Sequence, residues 1–279
     1  MKTKRPWEKD KGRRLEGLRH PGNVKEQNEE HMEEKKEKDI EMLKEKLQSV
    51  VLKEDHEMDF RTKEAYKTLR ANLEFAGDDV KVIAVTSCTP NEGKSSISMN
   101  LAKAIAESGK KVILIDADLR KSVLVGRYKT GAVKFGLTHY LSGQKNFNEV
   151  YCVTNVKNLY VAFSGPVPPN PSELLGGKYF ASMIKSLRSV FDYVIIDTPP
   201  FGSVIDSAIV AKQCDGCVIV IASNEISYKF AQKVKEQLEV AECRILGCVL
   251  NKVNISQKSY YGRYYGKYYG KYYGKDYEK

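Results

Sequence analysis

At 279 residues and a net charge of +10, the chain has room for one globular domain of about 200 residues between two low-complexity ends. No apolar run approaches the ~20 residues needed to span a bilayer and no signal peptide opens the chain, so a soluble, cytoplasmic protein is expected. Cys88, Cys152, Cys214, Cys217, Cys243 and Cys248 sit in strand-like segments, and no second pair joins Cys214 and Cys217 at zinc-binding spacing, which argues against a zinc site.

Residues 1–28 carry Lys2, Lys4, Arg5, Lys9, Lys11, Arg13, Arg14 and Arg19 with few acids, broken by Pro6, Pro21 and Gly22. They read as a disordered basic segment suited to an anionic surface, either inner-leaflet lipid or nucleic acid. Residues 29–57 read as a charged amphipathic helix and linker. Ile40, Leu43, Leu47 and Val50 recur at spacings of three and four, a stripe too short for a self-sufficient coiled coil and suited to docking on a partner or on the domain.

The folded domain is expected over 58–256. It opens with a helix over Thr62–Glu74 that turns Ala65, Leu69 and Leu73 inward. Strands and helices then alternate in the rhythm of a mostly parallel sheet flanked by helices. Strands are expected at Lys81–Ser87, Lys111–Asp116, Leu159–Phe163, Tyr193–Asp197, Cys217–Ala222 and Ile245–Leu250, each a nearly continuous apolar run. Helices fall at Ser95–Glu107, Ser172–Leu187, Ser203–Lys212 and Ser227–Ala241, several opening on Ser, a favoured N-cap.

Between the first of those strands and its helix stands Thr86-Ser-Cys-Thr-Pro-Asn-Glu-Gly93-Lys94-Ser95-Ser96, a P-loop in its strand–loop–helix setting. Backbone N–H groups of Asn91, Glu92, Gly93, Lys94, Ser95 and Ser96 cradle phosphate, aided by the helix dipole. Lys94 reaches the β- and γ-phosphates, and the Ser95 hydroxyl binds Mg²⁺. Cys88 replaces the first Gly of the strict pattern. Two other strands end in acids: Asp116 and Asp118 after Ile113-Leu-Ile, and Asp197 after Val194-Ile-Ile. Carboxylates there suit a Mg²⁺ that demands near-octahedral oxygen coordination.

The last twenty residues repeat paired tyrosines with Gly and a basic residue. Tyr260, Tyr261, Tyr264, Tyr265, Tyr268, Tyr269, Tyr272, Tyr273 and Tyr277 lie there, nine of the chain's seventeen. Gly262, Gly266, Gly270 and Gly274 are too frequent for a helix, each costing about 1 kcal/mol relative to Ala. The segment 257–279 reads as a flexible ribbon of phenol hydroxyls, either phosphate acceptors or platforms for stacking on single-stranded nucleic acid.

Together these motifs resemble the bacterial tyrosine kinases (BY-kinases) of capsule and exopolysaccharide synthesis, in the split Gram-positive form. Pro90-Asn-Glu-Gly-Lys-Ser-Ser resembles their Walker A, Ile-Asp116-Ala-Asp118-Leu-Arg120 their Walker A′, and Asp197-Thr-Pro-Pro their Walker B. Glu64-Ala-Tyr-Lys-Thr-Leu-Arg70, Gly136-Leu-Thr-His-Tyr-Leu-Ser-Gly143, Pro168-Pro-Asn-Pro-Ser-Glu-Leu-Leu175 and the tyrosine cluster match as well. The resemblance runs from about Phe60 to the C-terminus and leaves residues 1–59 without a counterpart. Lys67 stands at the first Arg of the family's Glu-x-x-Arg-x-x-Arg helix, keeping the charge without the bidentate fork. Asn91 stands where the family often has Gly.

The resemblance implies a P-loop NTPase-like α/β fold and ATP-dependent phosphorylation of the chain's own tyrosine cluster in trans, regulating polysaccharide synthesis and export. It implies ATP and Mg²⁺ as cofactors. Lys94 and Asp116 take the catalytic roles, with Asp118 an open alternative as base, and Ser95, Asp118 and Asp197 hold the metal. Asn251 is similar to the residue that reads adenine in related ATPases. Glu64, Lys67 and Arg70 imply a ring-shaped homo-oligomer. A transmembrane adaptor, a cognate tyrosine phosphatase and recruitment to the inner face of the plasma membrane follow from the same resemblance, and no nucleic-acid partner is expected. Two other readings compete: a ParA/MinD-like partitioning or division-site ATPase, which carries an extra Lys where this chain has Thr89, and a non-catalytic scaffold phosphorylated by another kinase.

Overall fold

The computed structural model describes residues 48–53, 58–131 and 133–254. The basic segment 1–28, the stripe from Ile40 to Leu47 and the tyrosine tail lie outside the described residues.

Eight described strands form one sheet in the order β1-β4-β5-β3-β6-β2-β7-β8. In chain order they are β1 (Gln48–Val50), β2 (Val82–Ser87), β3 (Val112–Asp116), β4 (Cys152–Thr154), β5 (Leu159–Ala162), β6 (Tyr193–Asp197), β7 (Gly216–Ala222) and β8 (Ile245–Asn251). From β5 to β8 every neighbouring pair is parallel, while β4 runs antiparallel to β5. The helices are α1 (Phe60–Glu74), α2 (Lys94–Glu107), α3 (Leu124–Arg127), α4 (Leu137–Leu141), α5 (Pro171–Gly176), α6 (Lys178–Val190), α7 (Asp206–Ala211) and α8 (Tyr228–Val240).

Alternation along each central strand splits the core in two, which is why the runs are apolar throughout. Val112 and Leu114 of β3 join Ile83, Val85, Leu101 and Ile105 under α2. Ile113 and Ile115 turn the other way, onto Phe180, Ile184 and Leu187 of α6. Each fully buried side chain of this size contributes about 1.5–3 kcal/mol.

Four expectations are corrected. Gln48–Val50 is a strand parallel to β4, not the end of a helix. Val50 and Leu52 are buried in the core, and that tertiary burial overrides the helical spacing. On α1, Ala65 is exposed, while Tyr66, Leu69 and Leu73 face the core. The helix expected over Ser172–Leu187 is two helices, because Gly177 is extended (φ −80°, ψ 167°) and packs against the carbonyls of Glu173 and Leu174. Ser203 caps nothing, and the short α7 begins at Asp206. Ser227 does cap α8, accepting from the N–H of Phe230.

Candidate active site

The loop between β2 and α2 is shaped by two left-handed residues, Asn91 (φ 67°) and Gly93 (φ 90°). Gly93 is obligatory twice over: a Cβ there would be strained and would collide with the Asn251 amide. Glu92, fully buried, braces the loop from inside. Its carboxylate accepts from Thr89 N (2.7 Å) and Ala222 N (3.1 Å), and its carbonyl accepts from Asn251 Nδ2 (2.8 Å). Asn251, at the end of β8, is thus tied to the P-loop backbone. The arrangement leaves the first turn of α2, whose N–H groups have no intrahelical partners, open at the carboxyl edge of the sheet.

Registration of β3 with β6 sets Asp116 beside Asp197. Both are fully buried, and Asp118 is nearly so. Lys94 Nζ stands among the groups assigned to Mg²⁺, at 3.0 Å from Asp197 Oδ1, 3.9 Å from Asp118 Oδ2 and 3.2 Å from Ser95 Oγ. Ser98, one turn further along α2, donates to the same Asp197 oxygen at 3.0 Å. Ser122 Oγ donates to Asp116 Oδ2 in a short contact. That leaves Asp116 Oδ1 and Asp197 Oδ2 as buried acceptors without a protein partner among the described residues. Burial and the facing Asp197 carboxylate push Asp116 up to about 7, against the pull of Ser122 and Lys94.

Such a site, with a phosphate cradle on one side and unsatisfied carboxylates on the other, is suited to phosphoryl transfer. A family model described as an AAA domain matches residues 80–245, more than half of the chain. The chain is 47% identical over 201 residues to the tyrosine-protein kinase CpsD of Streptococcus agalactiae, covering 72% of this chain and 87% of the relative. The chain belongs to the bacterial protein-tyrosine kinases. It is 41% identical to the tyrosine-protein kinase YwqD of Bacillus subtilis, over 71% of this chain and 84% of that one. Among solved structures, the chimerical protein CapA2B2 superposes with a TM-score of 0.67 at 31% identity, covering 77% of this chain and 98% of that chain.

Other residues of the kinase's motifs make contacts within the chain. Arg120, the last residue of the Walker A′ stretch, grips Asp206 with two bonds (2.7 and 3.0 Å) and reaches Ser172 at 3.1 Å, pinning the β3 loop to α5 and α7. Ser96 receives a short contact from Arg127 of α3. Lys67 pairs with Glu64 on the surface at 2.6 Å, and Arg70 turns inward to the carbonyl of Ala104 at 3.0 Å. Tyr260 to Tyr277 lie outside the described residues. Sequence reading missed Ser98, Ser122 and Arg127. Ser98 was findable, because it sits four residues after Lys94 and so shares its helix face. Ser122 and Arg127 follow the β3 acids in a loop and short helix with no periodic signal.

Proposed function

We propose that this kinase transfers the γ-phosphoryl group of ATP to the tyrosines of its own C-terminal ribbon, acting on a second copy of the chain. The observation that carries this reading is the unpartnered Oδ1 of Asp116 on the strand beside the Lys94–Asp197 contact. A tyrosine hydroxyl ionises near pH 10 and needs a proton acceptor as attack proceeds. The Asp116 Oδ1 oxygen supports that role over Asp118, whose Oδ1 already accepts from Lys121 N at 3.0 Å. As the phenol oxygen forms its bond to the γ-phosphorus, the bond to the β-phosphate oxygen breaks, ADP leaves, and the phenol proton passes to Asp116. Lys94 and the N–H groups of the loop neutralise charge on the transferring group. Asn251, adjoining the P-loop, is our candidate for the adenine side of the site.

Among the described residues no three His, Cys, Asp or Glu converge as a ready-made cage. Mg²⁺ fits such a site, since it takes one or two carboxylates together with phosphate oxygens and water. Ser95, Asp118 and Asp197 would hold it, with the unpartnered Asp197 Oδ2 as a fitting donor. When bound, the ion would offset negative charge on the phosphates during transfer.

No helix among the described residues is long and apolar enough to cross a membrane. We assign membrane recruitment to a transmembrane adaptor together with the basic residues of 1–28. Glu64, Lys67 and Arg70 are our candidates for a ring contact. Phosphorylation of many tyrosines, each adding about −1.5 to −2 charges, then loosens the ring, and a tyrosine phosphatase resets it. Purified protein incubated with Mg-ATP should become phosphotyrosine-positive, with adaptor fragment added if needed, and Lys94→Met should not. A wild-type protein that stays unlabelled with adaptor present would overturn the reading.

A further inference from the structure

Arg127 of α3 is exposed, and its guanidinium donates to the Ser96 hydroxyl of the P-loop in a short contact. The acids around the site are taken by other cations: Asp118 and Asp197 face Lys94, and Asp206 is held by Arg120. Among the described residues Arg127 has no ion pair with a carboxylate. Its location makes that unfavourable. Ser96 lies in the first turn of α2, where the helix dipole is positive, and Lys94 already puts one cation there. Asp197 offsets Lys94 at 3.0 Å, but nothing comparable offsets Arg127. A second cation at this helix end becomes favourable once an anion lies beside both.

The stem that carries the arginine is fixed. Leu124 is fully buried and Tyr128 nearly so, both in the core under α2. Lys103 Nζ of α2 lies 5.0 Å from the centre of the Tyr128 ring, and Tyr128 O accepts from Lys53 N at 3.0 Å. These contacts dock α3 on the flank of α2 and aim Arg127 at the P-loop.

We propose that Arg127 is a ligand of the nucleotide's α-phosphate, reached across the Ser96 hydroxyl. The inference rests on the nucleotide-binding part of the kinase reading above and deepens it. In a P-loop the lysine takes the β- and γ-phosphates and the next hydroxyl takes the metal, here Lys94 and Ser95. Ser96, one residue further into the helix, is left for the α-phosphate side. A guanidinium there offers its planar fork of N–H groups to the non-bridging α-oxygens. The α-phosphate stays with ADP, so this contact acts on nucleotide binding and ADP retention and not on the transferred group. Arg127 also follows Ser122, whose hydroxyl holds Asp116. Nucleotide bound through Arg127 thereby ties the segment that follows the β3 acids to the P-loop.

The test titrates full-length wild type, Arg127→Gln and Arg127→Lys with Mg-ADP, AMP and adenosine, reading displacement of a fluorescent ADP analogue. Arg127→Gln should weaken Mg-ADP and AMP alike, by about tenfold or more, and leave adenosine within about twofold. Arg127→Lys keeps the charge without the fork and should recover part of the loss. Added salt should weaken Mg-ADP binding to wild type more than to Arg127→Gln. Because Arg127 is exposed, the nucleotide-free thermal midpoint of either variant should hold within about 2 °C. Unchanged Mg-ADP affinity in Arg127→Gln would overturn the assignment. An equal loss for adenosine would overturn it too, by making the arginine a structural brace. A loss for Mg-ADP without one for AMP would move it off the α-phosphate. A wild-type chain that binds Mg-ADP yet labels no tyrosine would instead strike the kinase reading and leave this ligand in place.

Discussion

Asp215 and Asp116 stand at opposite ends of the same sheet, and their surroundings differ in kind. Asp215, before β7, caps the start of β2: it accepts from Lys81 N (2.9 Å) and Val82 N (2.8 Å) and takes a two-armed grip from Arg188 (2.9 and 2.6 Å). Burial raises its carboxyl, but Arg188 and those two amides outweigh burial and hold it below the ordinary range. Asp116 faces another carboxylate, keeps one oxygen without a partner and is pushed the other way. A saturated acid fastens the fold. An unsaturated one costs stability, and a fold keeps it where chemistry needs an acceptor.

The largest effect expected belongs to the carboxyl end. Lys94→Met removes the cation that Asp197 contacts and that the transferring group needs, and should lower the tail phosphorylation rate by about 10²–10³-fold or more, read by mass spectrometry. At the amino end the order reverses. Asp215→Asn keeps the shape but loses the charge that Arg188 grips, and should lower unfolding free energy in urea by about 1–3 kcal/mol. Its phosphorylation rate at 25 °C should stay near wild type.

The pH dependence separates the two ends by sign. Asp116 is raised in the fold, so in metal-free protein its contribution to stability is full below its unfolded value near 4 and is lost as pH rises to about 7. Asp215 is lowered, so its contribution is present above the unfolded value and disappears as pH falls through the folded one. Urea titrations across pH should show Asp116→Asn flattening the decline between about pH 4 and 7 and Asp215→Asn flattening the loss in acid. The smallest effect is on the surface. The exposed Glu64–Lys67 pair should be worth less than about 0.5 kcal/mol, so Lys67→Ala should barely move the urea midpoint.

The central sheet and the P-loop were legible because burial on both faces writes continuous apolar runs, and phosphate binding at a helix start demands Gly93, Lys94 and Ser95 in fixed order. Both strands ending in acids were readable for the same reason, since ligands gather at strand carboxyl ends. The edge was not legible. Gln48–Val50 gains its strand from β4 and from the bonds of the Gln48 amide to the Phe135 and Glu149 carbonyls, and a three-residue strand carries no periodicity to read. Likewise Arg120 enters the sequence reading only as the end of the Walker A′ stretch, and only the tertiary approach of Asp206 shows it as a brace.

The most direct test of the account is Asp116→Asn in the full-length chain, measured twice. Incubated with Mg-ATP and mapped by mass spectrometry, wild type should carry phosphate on tyrosines between Tyr260 and Tyr277. The variant should be slower by about 10²–10⁴-fold, while its metal-free thermal midpoint at pH 7 stays equal or rises. A variant that phosphorylates its tail at the wild-type rate, or one that loses activity only because it unfolds, would contradict the account.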